Sequence, residues 1–164
     1  MLKSDLSATL GALVKAGVEF VLVGGLAAVL DGAPVQTYDL DIVHSRAADN
    51  IVRLLGVLES LDAVFRIQPE RRLRPTVSHL GGPGHLNLIT RLGPLDVLGT
   101  IGRGLSYDDL LPHSVEMDIG GALIRVLDLE TLIAIKEELG GEKDRAVLPI
   151  LRRTLAEKKA HSSH

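Results

Sequence analysis

Cysteine and tryptophan are absent from the 164 residues, and only two Phe and two Tyr are present. Without cysteine there is no disulfide and no thiolate metal site, a composition compatible with a reducing compartment. An aromatic content of 2% leaves little from which to build the stacking platforms that grip single-stranded nucleic acid. Positive charge is not in excess either. With 18 Lys and Arg against 21 Asp and Glu, the formal net charge is -3, so a polyanion would have to be met by a local cluster. No apolar run approaches the ~20 residues of a bilayer-spanning helix. The opening Met1-Leu-Lys-Ser-Asp lacks the apolar stretch of a signal peptide. A soluble cytoplasmic protein is expected.

What remains is the composition of an ordinary globular domain, 46% hydrophobic and 24% charged, with no internal repeat and no low-complexity segment. At this length one core is expected, burying roughly two thirds of the surface the unfolded chain exposes. Leu6, Leu10, Leu13 and Val14 have helical spacing after Ser4, a candidate N-cap, and Gly17 supplies a stop. Val18 to Val23 predicts a buried strand that runs through Gly24-Gly25 into a helix over Leu26 to Leu30. After the Asp31 to Pro34 turn, Tyr38 to Val43 alternates with period two and predicts a second strand.

Ala47 to Leu61 predicts a helix covering a sheet, with Ile51, Leu54, Leu55 and Leu58 on one face, and Ala63 to Ile67 a further strand. Gln68 to Gly84, rich in Pro, Gly and Arg, is expected to be an irregular loop. Strands follow at His85 to Thr90 and Leu95 to Leu98, and a short helix at Tyr107 to Leu111. A hairpin joins Ser114–Ile119 to Ala122–Val126 at Gly120-Gly121, and helices over Leu129 to Leu139 and Lys143 to Lys158 close the chain. The mixed order points to an α/β (α+β) fold, a sheet with helices packed on its faces. The division expected is a core over residues 1–127, a helical extension over 128–160 and a dispensable polar tail over 161–164.

The chemistry concentrates on carboxylates. Asp39 and Asp41, two apart on a strand, point to one side while Leu40 and Ile42 point to the other. Their Cα atoms would lie roughly 6.5 Å apart, close enough to share or bridge divalent ions, and oxygen-only ligation selects hard cations such as magnesium. A solvated strand face is the plainer account of such a dyad. Asp96 adds to it, because it interrupts the apolar run Pro94-Leu95-Asp96-Val97-Leu98, where an ionised carboxylate is costly unless a cation or donor meets it. An exposed edge strand would explain Asp96 equally well. Gly24-Gly25 stands where backbone amides can receive a phosphate, although it has the spacing of neither a P-loop nor a dinucleotide fingerprint.

In combination, Val21-Leu-Val-Gly24-Gly25, Thr37-Tyr-Asp39-Leu-Asp41-Ile and Leu95-Asp96-Val97 resemble the nucleotidyltransferase superfamily of polymerase-β-like fold, in its small bacterial and archaeal branch. The resemblance covers about Val18 to Val97. It implies that Gly24 and Gly25 cradle an NTP and that Asp39 and Asp41 bind two magnesium ions, with manganese as the substitute. Asp96 would complete one metal site and act on an attacking hydroxyl. The implied activity is Mg-dependent transfer of NMP to an acceptor hydroxyl of a small molecule, a tRNA or a protein, with pyrophosphate released. Gly25 departs from the serine that many active members carry. The C-terminal stretch from Asp128 to Asp144 resembles the helical tail of the same small proteins, AbiEii-like toxins included, and makes Lys136 a candidate triphosphate ligand. That likeness allows an antitoxin-like partner, and the small size suggests that a partner protein or a homodimer supplies part of the acceptor site. A degenerate module that binds nucleotide or partner without turnover is the alternative from another class, and a metal-dependent phosphodiesterase a third.

Other polar groups carry less. Arg66, Arg71, Arg72 and Arg74 form a basic cluster suited to a triphosphate or an acceptor polyanion, or simply a solvated loop. His44 follows the Asp39 strand closely enough to approach the site. The six histidines have no metal-ligand spacing, and His79 and His85 carry no further signal.

Overall fold

The structure, a computed structural model, describes residues 5–162. Helix α1 (Leu6–Lys15) is capped by the Asp5 carboxylate, which accepts from the Ala8 amide at 3.0 Å; Ser4, expected in that role, lies outside the described residues. Gly17, at φ +77°, ends the turn that follows, and the Val18 amide is still bonded to the Leu13 carbonyl. Strand β1 (Phe20–Val23) therefore begins two residues later than the apolar run. Helix α2 (Gly24–Leu30) starts on the glycine pair itself, followed by β2 (Leu40–His44), α3 (Ala48–Ser60) and the short β3 (Val64–Phe65).

The stretch expected to be loop is partly ordered. It holds a 3-10 turn at Pro69–Arg71 and a helix, α4 (Val77–Gly81), which Thr76 and His79 open with reciprocal caps. The signal was concealed because histidine stands where a capping box usually has Glu or Gln. Next come β4 (His85–Thr90), β5 (Gly93–Leu98), α5 (Tyr107–Leu110), β6 (Ser114–Ile119), β7 (Ala122–Leu127), α6 (Leu129–Leu139) and α7 (Glu142–Ser162). Helix α7 continues through Ala160-His161-Ser162, into the stretch expected to be a loose tail. Alanine and the long charged residues before it are good helix formers.

The strands form one mixed sheet in the order β3-β4-β5-β2-β1-β7-β6. The β1/β7 and β2/β5 pairs are parallel and the others antiparallel. Each strand face feeds a different core. Phe20, Leu22, Leu40, Ile42, Leu95 and Val97 pack with Leu10 and Leu13 of α1 and Ile51, Leu54 and Leu58 of α3. On the other face, Val21, Val23, Val43 and Leu127 pack with Ala28 of α2, Leu132 and Ile133 of α6, and Leu148 and Leu151 of α7. This second face also bears the odd-numbered positions of β2. None of the described helices is long and apolar enough to cross a membrane.

One polar residue ties α3 to the sheet. Asn50 is fully buried; its Oδ1 accepts from the Glu19 amide at 2.7 Å, and its Nδ2 donates to the Glu19 and Ser45 carbonyls at 3.0 and 2.8 Å. It thus pins the start of β1 and the end of β2 to one helix. Alanine there takes the partner from the Glu19 amide and the Ser45 carbonyl, while the Glu19 carbonyl still accepts from the Ser45 amide at 3.1 Å, so Asn50→Ala is expected to cost about 2–4 kcal/mol and lower the melting temperature by roughly 5–10 °C. Thermal unfolding checks this.

Candidate functional site

Register brings the carboxylates together. In the parallel β2/β5 pair Asp41 lies opposite Asp96; across β1/β2 Asp41 faces Val23, the residue before the glycines; and across β4/β5 Asp96 faces Asn87. The Arg66 amide donates to the Asn87 carbonyl at 2.9 Å, extending the row by one more strand. Arg66, Asn87, Asp96, Asp41 and Val23 thus stand side by side across the sheet. Asp39 precedes β2 by one residue and shares the parity of Asp41, while Leu40 and Ile42 are fully buried on the opposite face.

The partner that an ionised Asp96 needs is an arginine. One Arg66 terminal nitrogen donates to Asp96 Oδ1 and to the Leu88 carbonyl, both at 2.9 Å. Asp41 has no such cation of its own. Burial, a hydrogen bond with Asp96 and the charges of Asp96 and Asp39 push its pKa up to about 7, with Arg66 pulling the other way. Its Oδ1 is buried without a hydrogen-bond partner. A carboxyl so placed is the atom set that a hard cation would relieve.

Asp39, Asp41 and Asp96 nevertheless form a row rather than a closed cage. Among the described residues no three His, Cys, Asp or Glu side chains are gathered as a ready metal group. The chemistry of the donors, all carboxylate oxygens with one of them unsatisfied, fits magnesium or manganese; Arg66 occupies Asp96 Oδ1.

The glycine turn stands against this row. Gly24 has φ +74°, and a Cβ there would overlap Asp41 Oδ2 and lie 3.0 Å from Asp41 Cγ. Only a residue without a side chain lets the turn pass over the carboxylate. At Gly25 the conflict is with Thr37, whose Oγ1 would lie 2.8 Å from an added Cβ and now donates to the Asp39 carbonyl at 3.2 Å. The departure from serine is therefore matched by a hydroxyl held in the neighbouring loop. Gly25→Ser is expected to cost about 1–3 kcal/mol through this overlap, and Thr37→Ala in the same chain to recover most of it. A double-mutant cycle read by thermal unfolding measures the coupling, and additive losses would refute it.

Two sequence candidates have partners outside the row. Lys136, on α6, bonds Asp144 of α7 at 3.2 Å. His44 sits at the far end of β2, 1% exposed, with Nε2 2.7 Å from the Leu80 carbonyl; burial holds its pKa below the usual histidine value. It ties α4 to β2. His79 serves the α4 cap and meets Phe65 edge-on, and His85 Nε2 lies 2.8 Å from the Thr100 carbonyl. Of the basic cluster, Arg72 and Arg74 share the Asp62 carboxylate and Arg71 reaches Gln68, leaving Arg66 alone at the aspartates. Its position was legible in part: Arg66 is two residues beyond Val64, on the same strand face.

The mixed seven-stranded sheet with its glycine-opened helix and carboxylate row is a nucleotidyltransferase fold. Two solved structures align over nearly the whole chain. One is the Thermotoga maritima protein TM1012, whose own assignment as a nucleotidyltransferase is provisional: 20% identity, TM-score 0.56, covering 93% of this chain and 91% of that one. The other is the lincosamide antibiotic adenylyltransferase LnuA with lincomycin bound: 16% identity, TM-score 0.60, covering 90% and 94%. No family model matches the chain, and no curated protein does.

Proposed function

We propose that the protein is a metal-dependent nucleotidyltransferase that moves NMP from an NTP to an acceptor hydroxyl and releases pyrophosphate. The observation that carries this is the register of Asp41 against Asp96 directly beside a glycine turn that has no room for a side chain. Asp39, Asp41 and Asp96 would hold magnesium, which when bound supplies charge neutralisation for the triphosphate and the leaving group. The Gly24 and Gly25 amides approach the phosphates. Asp96 accepts the proton of the acceptor hydroxyl as its oxygen bonds to the α-phosphorus and the bond to the bridging oxygen breaks. Arg66 orients the Asp96 carboxylate for that task. Lys136, which donates to Asp144 at 3.2 Å, is the candidate side-chain ligand of the triphosphate. A small-molecule acceptor is the simplest, and the bound lincomycin of LnuA supports that choice.

The test is transfer of label from α-labelled NTPs, with magnesium, to a panel of small alcohols, tRNA and proteins, read together with pyrophosphate release. Label transfer matched by pyrophosphate supports the assignment, and free phosphate from the γ position without transfer contradicts it. The Arg66 contact to Asp96 favours one second reading, a module that binds Mg-NTP or a partner chain without turnover. Calorimetry giving tight NTP binding with no pyrophosphate across the panel would select it.

A further inference from the structure

The sheet face that bears Asp96 continues past Arg66 into an open cleft of about 490 Å³. Its floor is apolar, made by Val64 and Ile89, which pair across β3 and β4, and by Pro69. Around it stand three guanidiniums, those of Arg66, Arg72 and Arg91, against the single carboxylate of Asp62. That carboxylate is already divided between Arg72 and Arg74. Arg66 Nε is buried and has no acceptor, a donor left wanting at the boundary between cleft and row.

Three residues in and beside the cleft have a left-handed backbone, and at Asp62 this closes the end of α3, the Asp62 and Ala63 amides bonding the Glu59 and Leu58 carbonyls. Asp62, Gln68 and Arg72 have φ of 55°, 53° and 56°, the left-handed region that side chains rarely adopt. Two of those three residues line the cleft.

We infer that this cleft is the acceptor site and that the acceptor carries an anionic group, phosphate or carboxylate, on a small aliphatic body. The inference rests on the nucleotidyltransferase reading, since Asp96 must meet the acceptor hydroxyl while the anion lies among the arginines. The volume suits a small molecule. No aromatic side chain lines the cleft, so a nucleic-acid end would find no stacking surface there.

Three probes of one length separate the terms: 6-hydroxyhexyl phosphate, 6-hydroxyhexanoate and 1,6-hexanediol. Each is titrated into the full-length ¹⁵N-labelled protein, and the arginine Nε–H and backbone amide signals are followed. The expected result is saturable binding of at least one anion, moving the Arg66, Arg72 and Arg91 signals, about tenfold tighter than the diol. The better anion identifies the acceptor's charged group. Arg91→Ala and Arg72→Ala should each weaken that binding several-fold, while Mg-ATP still moves the Gly24 and Gly25 amides as in wild type. Equal affinity for the diol, no saturation by either anion, shifts confined to Gly24 and Gly25, or indifference to both substitutions overturns the inference. If the anion binds as expected but Mg-ATP leaves Gly24, Gly25 and Asp41 unmoved, the transferase reading fails and the cleft remains an anion site.

Discussion

Alanine at Gly24 is expected to remove Mg-NTP binding and lower NMP transfer at least about 100-fold. The new Cβ would occupy the space of Asp41 Oδ2 at a φ of +74°, so either the carboxylate or the turn must move. Both belong to the proposed site. Left-handed strain alone costs about 1 kcal/mol, and displacing a buried carboxylate adds to it. Gly104→Ala separates the two contributions, because Gly104 has φ +92° with nothing within 4 Å of an added Cβ. That control should lose a comparable increment of stability from strain and retain full transfer. Loss of activity in both variants, or in neither, contradicts the account.

Asp41→Asn is expected to separate stability from function. Transfer should fall about 10³-fold or more, because a neutral amide cannot replace a carboxylate against a cation and a triphosphate. The metal-free protein should become more stable. Asp41 has a folded pKa near 7, raised from 3.8, so it contributes stability that is fully present below about pH 3.8 and is lost as pH rises through about 7. Asn bears no such loss. The stability difference between variant and wild type should therefore widen by about 2.6 kcal/mol between pH 5 and pH 8, or roughly 5–10 °C in melting temperature. Thermal melts in EDTA at four pH values decide it, and parallel curves would show that Asp41 ionises freely in the folded chain. Asp31 works in the same direction in both proteins. It is buried at the end of α2 with Lys158 at 3.8 Å, and burial raises its pKa to about 6.

Much of the fold was legible because its signals are local. Asp128 caps α6 by accepting from the Thr131 amide at 2.7 Å, and the helix runs over Leu129–Leu139 as its pattern and Gly140 dictate. The hairpin at Gly120-Gly121 and the parity of Asp39 and Asp41 follow equally from short-range rules. The expectation that a cation or donor must meet Asp96 was sound physics. The donor's identity was beyond reach, because Arg66 arrives from 30 residues away through the β3-β4-β5 pairings.

Asn50 was hidden for a related reason. The helix face was read from Ile51, Leu54, Leu55 and Leu58, and a polar residue facing the core is legible only once its backbone partners at Glu19 and Ser45 are placed. The fit between Gly25 and Thr37 is likewise a relation between the first turn of α2 and the loop before β2. Neither residue declares it alone.

In the proposed site Asp39, Asp41 and Asp96 would hold the metal ions of an NTP beneath the glycine turn. The most direct test of this is paramagnetic broadening by Mn²⁺ in the presence of a non-hydrolysable NTP analogue, read on the ¹⁵N-labelled protein. Broadening is expected to centre on the amides of Gly24, Gly25, Leu40, Asp41 and Asp96 and to disappear in Asp41→Asn. Broadening centred instead on Asp62 or Asp128, or unchanged by that substitution, would contradict it.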